Sequence, residues 1–278
     1  MKLGIRAHDI GTLPPKDLVD SLVEKGFHSI QLVLNKAIEY QTQMPKILDE
    51  ELVEELSLFL NESHVEVAML GAYFNPIHSD KEKVKDSVEN FKNHLRKAHC
   101  FNTTLVGTET GSYNDDQWTF HESNGSEEAF LEVKRVFSQL LEVAKESNTY
   151  LAIEPAYQHV ISTPRRLKRL IDELNHPNTV VTFDLFNLLS NENYKNQHRL
   201  IDEMVELFHD KIRIVHAKDF MVENQQIRQV APGKGLLDYK YLLSKLEELD
   251  QEPTIIFEGV VGEDISYSQQ YLLEFLQS

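Results

Sequence analysis

The sequence predicts an α/β fold in which strands and helices alternate along the whole chain, specifically a closed (β/α)8 barrel. Three observations lead to this prediction. Short runs rich in aliphatic and β-branched residues recur, each is followed by a polar loop and a helical pattern, and there are eight such units in 278 residues. No linker rich in Pro, Gly or Ser interrupts them, so we expect a single domain over residues 1–278.

The predicted strands are aliphatic runs bounded by turn residues. In chain order they are Leu3–Ala7, Ser29–Leu34, Val65–Leu70, Thr104–Gly107, Tyr150–Glu154, Thr179–Asp184, Ile212–His216 and Thr254–Glu258. An open doubly wound sheet is the competing architecture, and it usually carries a G-x-G-x-x-G turn after its first strand. Here that turn reads RAHDIGTLPP, which favours the closed barrel.

Helices between the strands are predicted from apolar spacing and capping residues. Ser79 and Glu82 have the capping-box spacing, ahead of an apolar stripe formed by Val84, Val88, Phe91, Leu95 and Ala98. Thr163 and Pro164 predict another helix start, with a hydroxyl cap and a proline in the first turn. The last two helices are predicted at Leu236–Leu249 and Ser266–Phe275.

The charge balance disfavours several partners. Lys and Arg number 28 against 45 Asp and Glu, which gives a formal net charge of −17 and a field that repels a phosphate backbone. Nucleic acid is therefore not an expected partner. The N-terminal stretch MKLGIRAHDIGTLPP lacks the apolar run of a signal peptide, and no apolar segment of membrane length occurs, so we expect a cytoplasmic protein. A homo-oligomer is compatible with the sequence, which does not decide the point.

Four predicted strands end on ionisable residues, namely Glu154, Asp184, His216 and Glu258. In a (β/α)8 barrel the carboxyl ends of all strands open at one mouth, so these side chains should meet there. Taken singly, each is explained as a helix cap or a hydrogen-bonded histidine. Taken together, three carboxylates and an imidazole would be poorly solvated unless a cation held them. We therefore predict one divalent metal ion, and ligands without a thiolate suit Mn²⁺, Co²⁺, Zn²⁺ or Mg²⁺.

With this quartet in place, the chain resembles the sugar phosphate isomerase/epimerase superfamily, which has a xylose-isomerase-like TIM barrel. That superfamily includes ketose 3-epimerases, inosose-processing proteins and, more distantly, AP endonucleases of the endonuclease IV type. The resemblance extends over the whole chain, because the eight strand–helix units match the arrangement of that superfamily. Its most specific parts are the quartet, the HAKD motif that begins at His216 and the PGKG turn at Pro232–Gly235. The resemblance implies that the quartet binds one divalent metal ion.

The resemblance to ketose epimerases implies a metal-dependent isomerase or epimerase that acts on a sugar, sugar phosphate or other polyol. A metal chelated by a ketose carbonyl and its neighbouring hydroxyl acidifies the adjacent C–H group and stabilises a cis-enediolate. Glu154 and Glu258 would then be the catalytic pair, one removing a proton and the other returning one. Two alternatives stay open: a dehydratase of the inosose or dehydroshikimate type, and a binding protein that keeps its metal as a remnant.

The AP endonuclease branch is disfavoured by residues that are missing. Resemblance to that branch would imply three zinc ions, with extra histidines after strands 3, 4, 6 and 7. Here strand 3 runs into GAYFNPIHSD, which offers only a later His78, and strand 4 ends VGTETG. Strand 6 continues Asp184-Leu-Phe-Asn187, and the stretch before PGKG reads QIRQVA. A mononuclear site that acts on a small polyol is therefore the preferred interpretation.

Six further residues are predicted to contact the substrate because they follow strand ends: Arg6, His8, His159, Asn187, Lys218 and Arg228. Arg228 could bind an anionic group, although a solvated surface arginine is the competing interpretation. Lys218 and Asp219 are also interpreted as groups that orient His216. Asn187 stands where ketose epimerases often have histidine, so their substrate specificity does not transfer.

The segment after strand 4, ETGSYNDDQWTFHESNGSEE, is long for a loop in a barrel. It contains Tyr113, Trp118, Phe120 and His121 among polar residues. Two interpretations are open: a lid whose aromatic side chains cover a sugar, or a segment packed on the rim of the barrel.

Overall fold

A computed structural model describes residues 1–39 and 50–276 of the chain. Its strands are β1 Lys2–Arg6, β2 Ser29–Leu32, β3 Glu66–Gly71, β4 Leu105–Glu109, β5 Tyr150–Glu154, β6 Thr179–Asp184, β7 Ile212–Ala217, β8 Asp219–Glu223, β9 Gln226–Val230 and β10 Thr254–Phe257. Its α-helices are α1 Pro15–Glu24, α2 Leu34–Ala37, α3 Glu50–Glu62, α4 Lys81–Lys97, α5 Glu127–Glu146, α6 Pro164–Leu174, α7 Leu185–Leu188, α8 Gln197–Phe208, α9 Tyr239–Leu246 and α10 Asp264–Leu276.

Eight parallel strands close into a barrel in the order β1-β2-β3-β4-β5-β6-β7-β10, and β10 pairs with β1. The predicted fold class, an α/β (β/α)8 TIM barrel, is confirmed. β5 and β6 have the bounds that the sequence predicted, and the other barrel strands differ by one or two residues at an end. The antiparallel hairpin formed by β8 and β9 was not predicted, and it fills the connection between β7 and α9.

Side chains two residues apart in a strand point to the same side, and an apolar layer inside the barrel therefore lies directly below the polar quartet. Ala152, Val180, Ile214 and Ile256 lie in one small buried cluster with Met69, and Glu154, His216 and Glu258 each follow one of these residues by two positions. A Cβ atom at Gly107 would lie 2.5 Å from Sδ of Met69, so a larger residue there would require the Met69 side chain to move. The polar quartet therefore stands on a closed apolar floor.

Helix starts follow capping chemistry, with one correction. Thr163 caps α6 as predicted, and its hydroxyl accepts from the backbone N–H of Arg166. The prediction of Ser79 as the cap of α4 is wrong by one residue, because the carboxylate of Asp80 accepts from the backbone N–H groups of Glu82 and Lys83. Ser79 instead donates from its N–H and hydroxyl groups to Asp115 in the loop after β4.

Within the described ranges 1–39 and 50–276, none of the helices combines the length and the apolar character needed to cross a bilayer.

Candidate metal centre

Glu154, Asp184, His216 and Glu258 converge at the mouth of the barrel, where one ligand atom from each lies within 4.8 Å of the other three. Nδ1 of His216 lies 2.8 Å from a carboxylate oxygen of Glu258, 3.3 Å from one of Glu154 and 3.6 Å from one of Asp184. The β6 and β7 register pairs Asp184 with His216, so both reach the same height. Glu258 lies one residue beyond the end of β10.

His216 is oriented by a hydrogen bond from across the barrel. Its Nε2 atom lies 2.7 Å from Oε1 of Gln31 on β2, and the amide of Gln31 in turn donates to the hydroxyl of Tyr73. Because an amide oxygen only accepts, the Nε2 atom carries a hydrogen. Burial lowers the pKa of His216, but the Glu154 and Glu258 carboxylates raise it well above its ordinary value, so Nδ1 also carries a hydrogen and donates to Glu258. Loss of that proton would free Nδ1 to bind a metal ion.

Glu154 is held by amide and hydroxyl groups. The side-chain amide of Asn187 donates to its Oε1 atom at 2.7 Å, and the hydroxyl of Tyr73 lies 3.4 Å from Oε2. The backbone N–H of Asn187 also donates to Asp184, since Asp184 caps the short helix α7. Asn187 thus fixes two of the carboxylates, and Oε2 of Glu154 keeps only a long contact.

Glu258 is fixed through its side chain and its backbone. Arg6 Nη1 donates to its Oε1 atom at 2.9 Å, and Arg6 is itself held by the carboxylate of Asp9. The amide of Gln229 donates to the Glu258 carbonyl, and the N–H of Gly259 donates to Asp9. Gly259 has φ +73, and a Cβ there would lie 2.4 Å from Nε2 of Gln229. The GV turn after β10 therefore needs glycine to support Glu258.

Lys218 provides a buried positive charge that pairs with two carboxylates of the quartet. Its ammonium lies 2.8 Å from Asp184 Oδ2 and 2.9 Å from Glu258 Oε1, and it donates to Asn187. Burial alone would lower the pKa of Lys218, but Asp184 and Glu258 raise it. Burial would likewise raise the pKa of Glu258, yet Lys218, His216 and Arg6 hold it well below its usual range. The ammonium and the carboxylates therefore stabilise one another in their charged forms.

The residues present fit a divalent metal ion. Three carboxylates and an imidazole offer oxygen and nitrogen donor atoms within 4.8 Å of one another, which is a set that suits a divalent cation. Oδ2 of Asp184 is fully buried and accepts no hydrogen bond of good geometry, although the Lys218 ammonium is close. This carboxylate oxygen lies 3.6 Å from Nδ1 of His216 and could serve as a metal ligand. Oxygen and nitrogen donors without sulfur leave the choice of metal open.

A cavity of about 1220 Å³ opens above the quartet, and both Glu154 and Glu258 line it. Arg6, His8 and Tyr73 line the same cavity. Burial and the neighbouring Arg6 lower the pKa of His8 to about 3, so its imidazole is neutral. The cavity is large enough for a sugar-sized molecule to reach the two glutamates.

The structure brings together most of the residues that the sequence singled out. Arg6, Asn187 and Lys218 touch the quartet, and His8 lines the cavity. Arg228 lies on the β8–β9 hairpin, where its exposed guanidinium pairs with Glu223 and does not line the cavity.

Asp219 does not contact His216, so the expectation that it orients the imidazole is wrong. Its carboxylate accepts from the backbone N–H groups of Phe220, Gly233, Gly235 and Leu237. A Cβ at Gly235 would lie 2.2 Å from Oδ1 of Asp219. Asp219 of the HAKD motif therefore contacts the PGKG turn directly, because its carboxylate accepts hydrogen bonds from the backbone of that turn.

His159 lies beneath the loop that follows β4. Its Nε2 atom donates to the carbonyl of Trp118, and the two rings meet edge to face with centroids 5.6 Å apart. Two buried asparagines, Asn75 and Asn124, bind the backbone of the same loop at Ser112 and its neighbours, and Asn124 also donates to the carbonyl of Gln158 in the loop after β5. These contacts fix the segment to the rim, and Trp118 lines the cavity while Phe120 is exposed.

Sequence reasoning missed three polar residues that face this mouth: Gln31, Tyr73 and Glu109. Gln31 is fully buried within β2 and Tyr73 follows β3, so neither ends its strand on a charge. Glu109 did carry a signal, because it is the last residue of β4 and pairs in register with Glu154. Burial and the Glu154 and Glu258 carboxylates raise the pKa of Glu109 well above its ordinary value.

The closed (β/α)8 barrel carries three carboxylates and a histidine, which could hold a metal ion, at the ends of the consecutive strands β5, β6, β7 and β10. The family model described as xylose isomerase-like TIM barrel matches residues 19–275, and the chain belongs to this family. No curated protein sequence matches the chain closely enough to count as a relative.

Solved structures with the same fold include several enzymes. A D-tagatose 3-epimerase-like protein is 20% identical, with a TM-score of 0.79 over 100% of this chain and 97% of that one. The IOLI protein, solved with a bound zinc atom, is 18% identical, with a TM-score of 0.76 over 100% and 98%. The probable 3-DHS dehydratase AsbF from Bacillus anthracis is 16% identical, with a TM-score of 0.73 over 98% and 99%. These identities show a shared fold.

Proposed function

We propose that this protein is a divalent-metal-dependent epimerase or isomerase that acts on a ketose or a related polyol ketone. The observation that carries this proposal is the convergence of Glu154, Asp184, His216 and Glu258 within 4.8 Å, with the two glutamates lining a sugar-sized cavity. Similarity in fold to a D-tagatose 3-epimerase-like protein supports the same class of chemistry.

The four residues of the quartet would hold the ion, with His216 binding through Nδ1. When bound, the ion supplies Lewis-acid polarisation of a substrate carbonyl, which acidifies the neighbouring C–H group. Gln31 keeps the imidazole in the correct tautomer, and Lys218 compensates part of the negative charge.

The two glutamates are suited to different halves of a proton transfer. Oε2 of Glu154 has only a 3.4 Å contact to the Tyr73 hydroxyl, so this oxygen is free to take a proton from the carbon next to the carbonyl. Both oxygens of Glu258 contact cationic or imidazole groups, which stabilise its anion. Glu154 takes the proton as the C–H bond breaks with its electrons left on the substrate. A proton that Glu258 has first taken up from solvent is returned to the opposite face to complete an epimerisation, and Glu154 then releases its proton to solvent.

Two other outcomes have different products. A dehydratase would use the same proton removal but expel a hydroxide from the next carbon, so its product is lighter by one water. A binding protein that keeps the metal would show affinity without proton exchange. A trinuclear nuclease is disfavoured in the described residues, because β3 ends at Gly71, β4 ends at Glu109, and His78 instead contacts Asp116 on the rim.

The test combines elemental analysis with deuterium exchange. Purified protein should contain about one divalent ion per chain, and incubation with ketoses, ketose phosphates and inososes in D₂O should label one substrate at the carbon next to its carbonyl. Mass spectrometry of the same reactions distinguishes an epimer of unchanged formula from a dehydrated product. Metal-loaded protein that labels no compound in the panel would count against the proposal.

A further inference from the structure

The hydroxyl group of Tyr73 has a hydrogen without a good acceptor. Oε1 of Gln31 lies 2.7 Å from Nε2 of His216, so the NH₂ group at the other end of this amide is the one that donates to the Tyr73 hydroxyl at 2.8 Å. The Tyr73 oxygen therefore accepts from Gln31, and its own hydrogen points elsewhere. In the part of the chain that the structure describes, its acceptor is Oε2 of Glu154 at 3.4 Å, which is longer than an ordinary O–H···O bond of about 2.5–3.0 Å.

Tyr73 lies at the reaction end of the cavity, beside the proposed base Glu154, and both residues line that cavity. Its ring packs on Gly71, where an added Cβ atom would come within 2.8 Å of the ring, so a larger residue at the end of β3 would displace it. Burial and the Glu154 carboxylate raise the pKa of Tyr73 well above its ordinary value, so the hydroxyl keeps its hydrogen. The fold thus holds a neutral donor close to the oxygen that is to take the proton.

Removal of a proton next to a carbonyl group creates negative charge on the carbonyl oxygen. In the proposed reaction the C–H bond breaks, the proton passes to Oε2 of Glu154, and the electron pair of the bond moves into the substrate. The carbonyl oxygen is two bonds from the carbon that loses the proton, so a donor to that oxygen has to lie near the base. A donor that is already in place stabilises the oxyanion without reorganisation. The Tyr73 hydroxyl meets both conditions.

We propose that Tyr73 is a catalytic residue whose hydroxyl donates a hydrogen bond to the substrate oxygen that becomes negative as Glu154 takes the proton. The proposal rests on the proposed function, because it assumes that Glu154 is the base. Tyr73 keeps its own proton throughout, and its hydrogen turns from the long contact with Glu154 to the substrate. A hydrogen bond is stronger to an anionic oxygen than to a neutral carbonyl, so it favours the transition state over the bound ketone.

The experiment compares the binding of two small probes, which requires no knowledge of the natural substrate. Glycolohydroxamate resembles an anionic enediolate, whereas glycolamide resembles the neutral carbonyl compound. Each is titrated into Mn²⁺-loaded protein, and the paramagnetic broadening of its proton signals reports binding. Tyr73→Phe should weaken glycolohydroxamate about 10- to 100-fold, the usual loss for a hydrogen bond to a charged group, and glycolamide only about threefold.

Tyr241→Phe is the matched control. It removes a tyrosine hydroxyl that donates to the carboxylate of Asp202, and Tyr241 lies on α9 outside the cavity lining. It should leave both dissociation constants unchanged. Circular dichroism and the Mn²⁺ dissociation constant are measured for each variant, because Tyr73→Phe also removes the acceptor of the Gln31 amide. Tyr73→Phe should keep the fold and the Mn²⁺ affinity.

Three results would refute the catalytic role of Tyr73. Glycolohydroxamate might fail to bind the Mn²⁺-loaded protein, or Tyr73→Phe might weaken both probes by the same factor. The third is a loss of Mn²⁺ affinity in Tyr73→Phe as large as that in Gln31→Leu, which would make Tyr73 a support of His216 rather than a group that touches the substrate.

Deuterium exchange separates this role from the proposed function. For a ketose that the protein labels, Tyr73→Phe should lower the exchange rate at saturation by about 10² to 10³-fold with little change in KM. Exchange at the full rate in Tyr73→Phe would refute the role of Tyr73 and leave the epimerase standing. Selective loss of glycolohydroxamate binding in a protein that labels no ketose would support Tyr73 as an oxyanion donor and count against the epimerase.

Discussion

Oε1 of Gln31 lies 2.7 Å from Nε2 of His216, although the two residues are on opposite sides of the barrel in β2 and β7. This bond decides which imidazole nitrogen faces the carboxylates. It joins the first half of the chain to a site whose ligands all come from the second half.

Gln31→Leu should therefore weaken metal binding about 10- to 100-fold, because the imidazole loses the acceptor that fixes its tautomer and its orientation. Competition with a chelator measures the affinity. Gln139→Leu, the same change on an exposed residue of α5, should have no effect on it. An unchanged affinity in Gln31→Leu would show that the imidazole is not a ligand or needs no support.

Glu154→Gln and Glu258→Gln should each lower turnover by about 10² to 10⁴-fold, the usual contribution of a positioned acid or base. Both residues also face the metal centre, so the metal content of each variant must be measured and restored with excess ion before rates are compared. Single-turnover deuterium labelling then shows which face of the substrate carbon each glutamate serves. Full turnover in either metal-loaded variant would remove that residue from the proton transfer.

Trp118 is the sole tryptophan of the chain and lines the cavity, so intrinsic fluorescence should report ligand binding there. We expect a saturable change in emission on titration of metal-loaded protein with a ketose that exchanges deuterium. The double variant Trp118→Phe, Phe120→Trp moves the reporter to an exposed position of the same loop and should lose the response. A response that is equal in both proteins would mean that the ligand binds elsewhere or moves the whole loop.

Stability should fall as the pH is lowered from about 6.5 towards 4, in part through His159. Burial lowers the pKa of His159 to about 4, whereas an unfolded histidine titrates near 6.5. In that window the unfolded chain binds the extra proton, so acid favours unfolding, by at most about 1.4 kcal/mol per pH unit for this group.

Urea unfolding between pH 7 and pH 4 tests this pH dependence. His159→Phe should flatten the dependence of the unfolding free energy on pH, because it removes the group whose protonation differs between the two states. His28→Gln, at an exposed position, should leave the slope as in the unsubstituted protein. Equal slopes in all three proteins would show that His159 is protonated equally easily in the folded state.

The barrel and its quartet could be predicted from the sequence because both depend on local pattern and strand order. An apolar run such as Thr179–Asp184 indicates where a strand ends. The parallel topology then places the ends of the strands together at one mouth of the barrel. Gln31 and Tyr73 could not be found in this way, since an uncharged polar residue inside or after an apolar run gives no signal of what it contacts. Glu109 lies two residues beyond the predicted end of strand 4 at Gly107, so the predicted strand ends do not include it.

The role of Asp219 shows the limit of motif reading. Adjacent residues of HAKD were expected to serve the same imidazole, but successive side chains of an extended backbone point to opposite sides. Lys218 reaches Asp184 and Glu258, while Asp219 turns to the backbone of the PGKG loop. Which side each residue takes depends on the irregular junction between β7 and β8, which sequence pattern did not reveal.

A crystal structure of the protein grown with Mn²⁺, with the metal located by its anomalous scattering, tests the metal centre most directly. We expect one peak per chain within about 2.0–2.4 Å of Nδ1 of His216 and of carboxylate oxygens from Glu154, Asp184 and Glu258. No peak at the quartet, or a peak bound by other residues with the Lys218 ammonium still filling the space between Asp184 and Glu258, would contradict it.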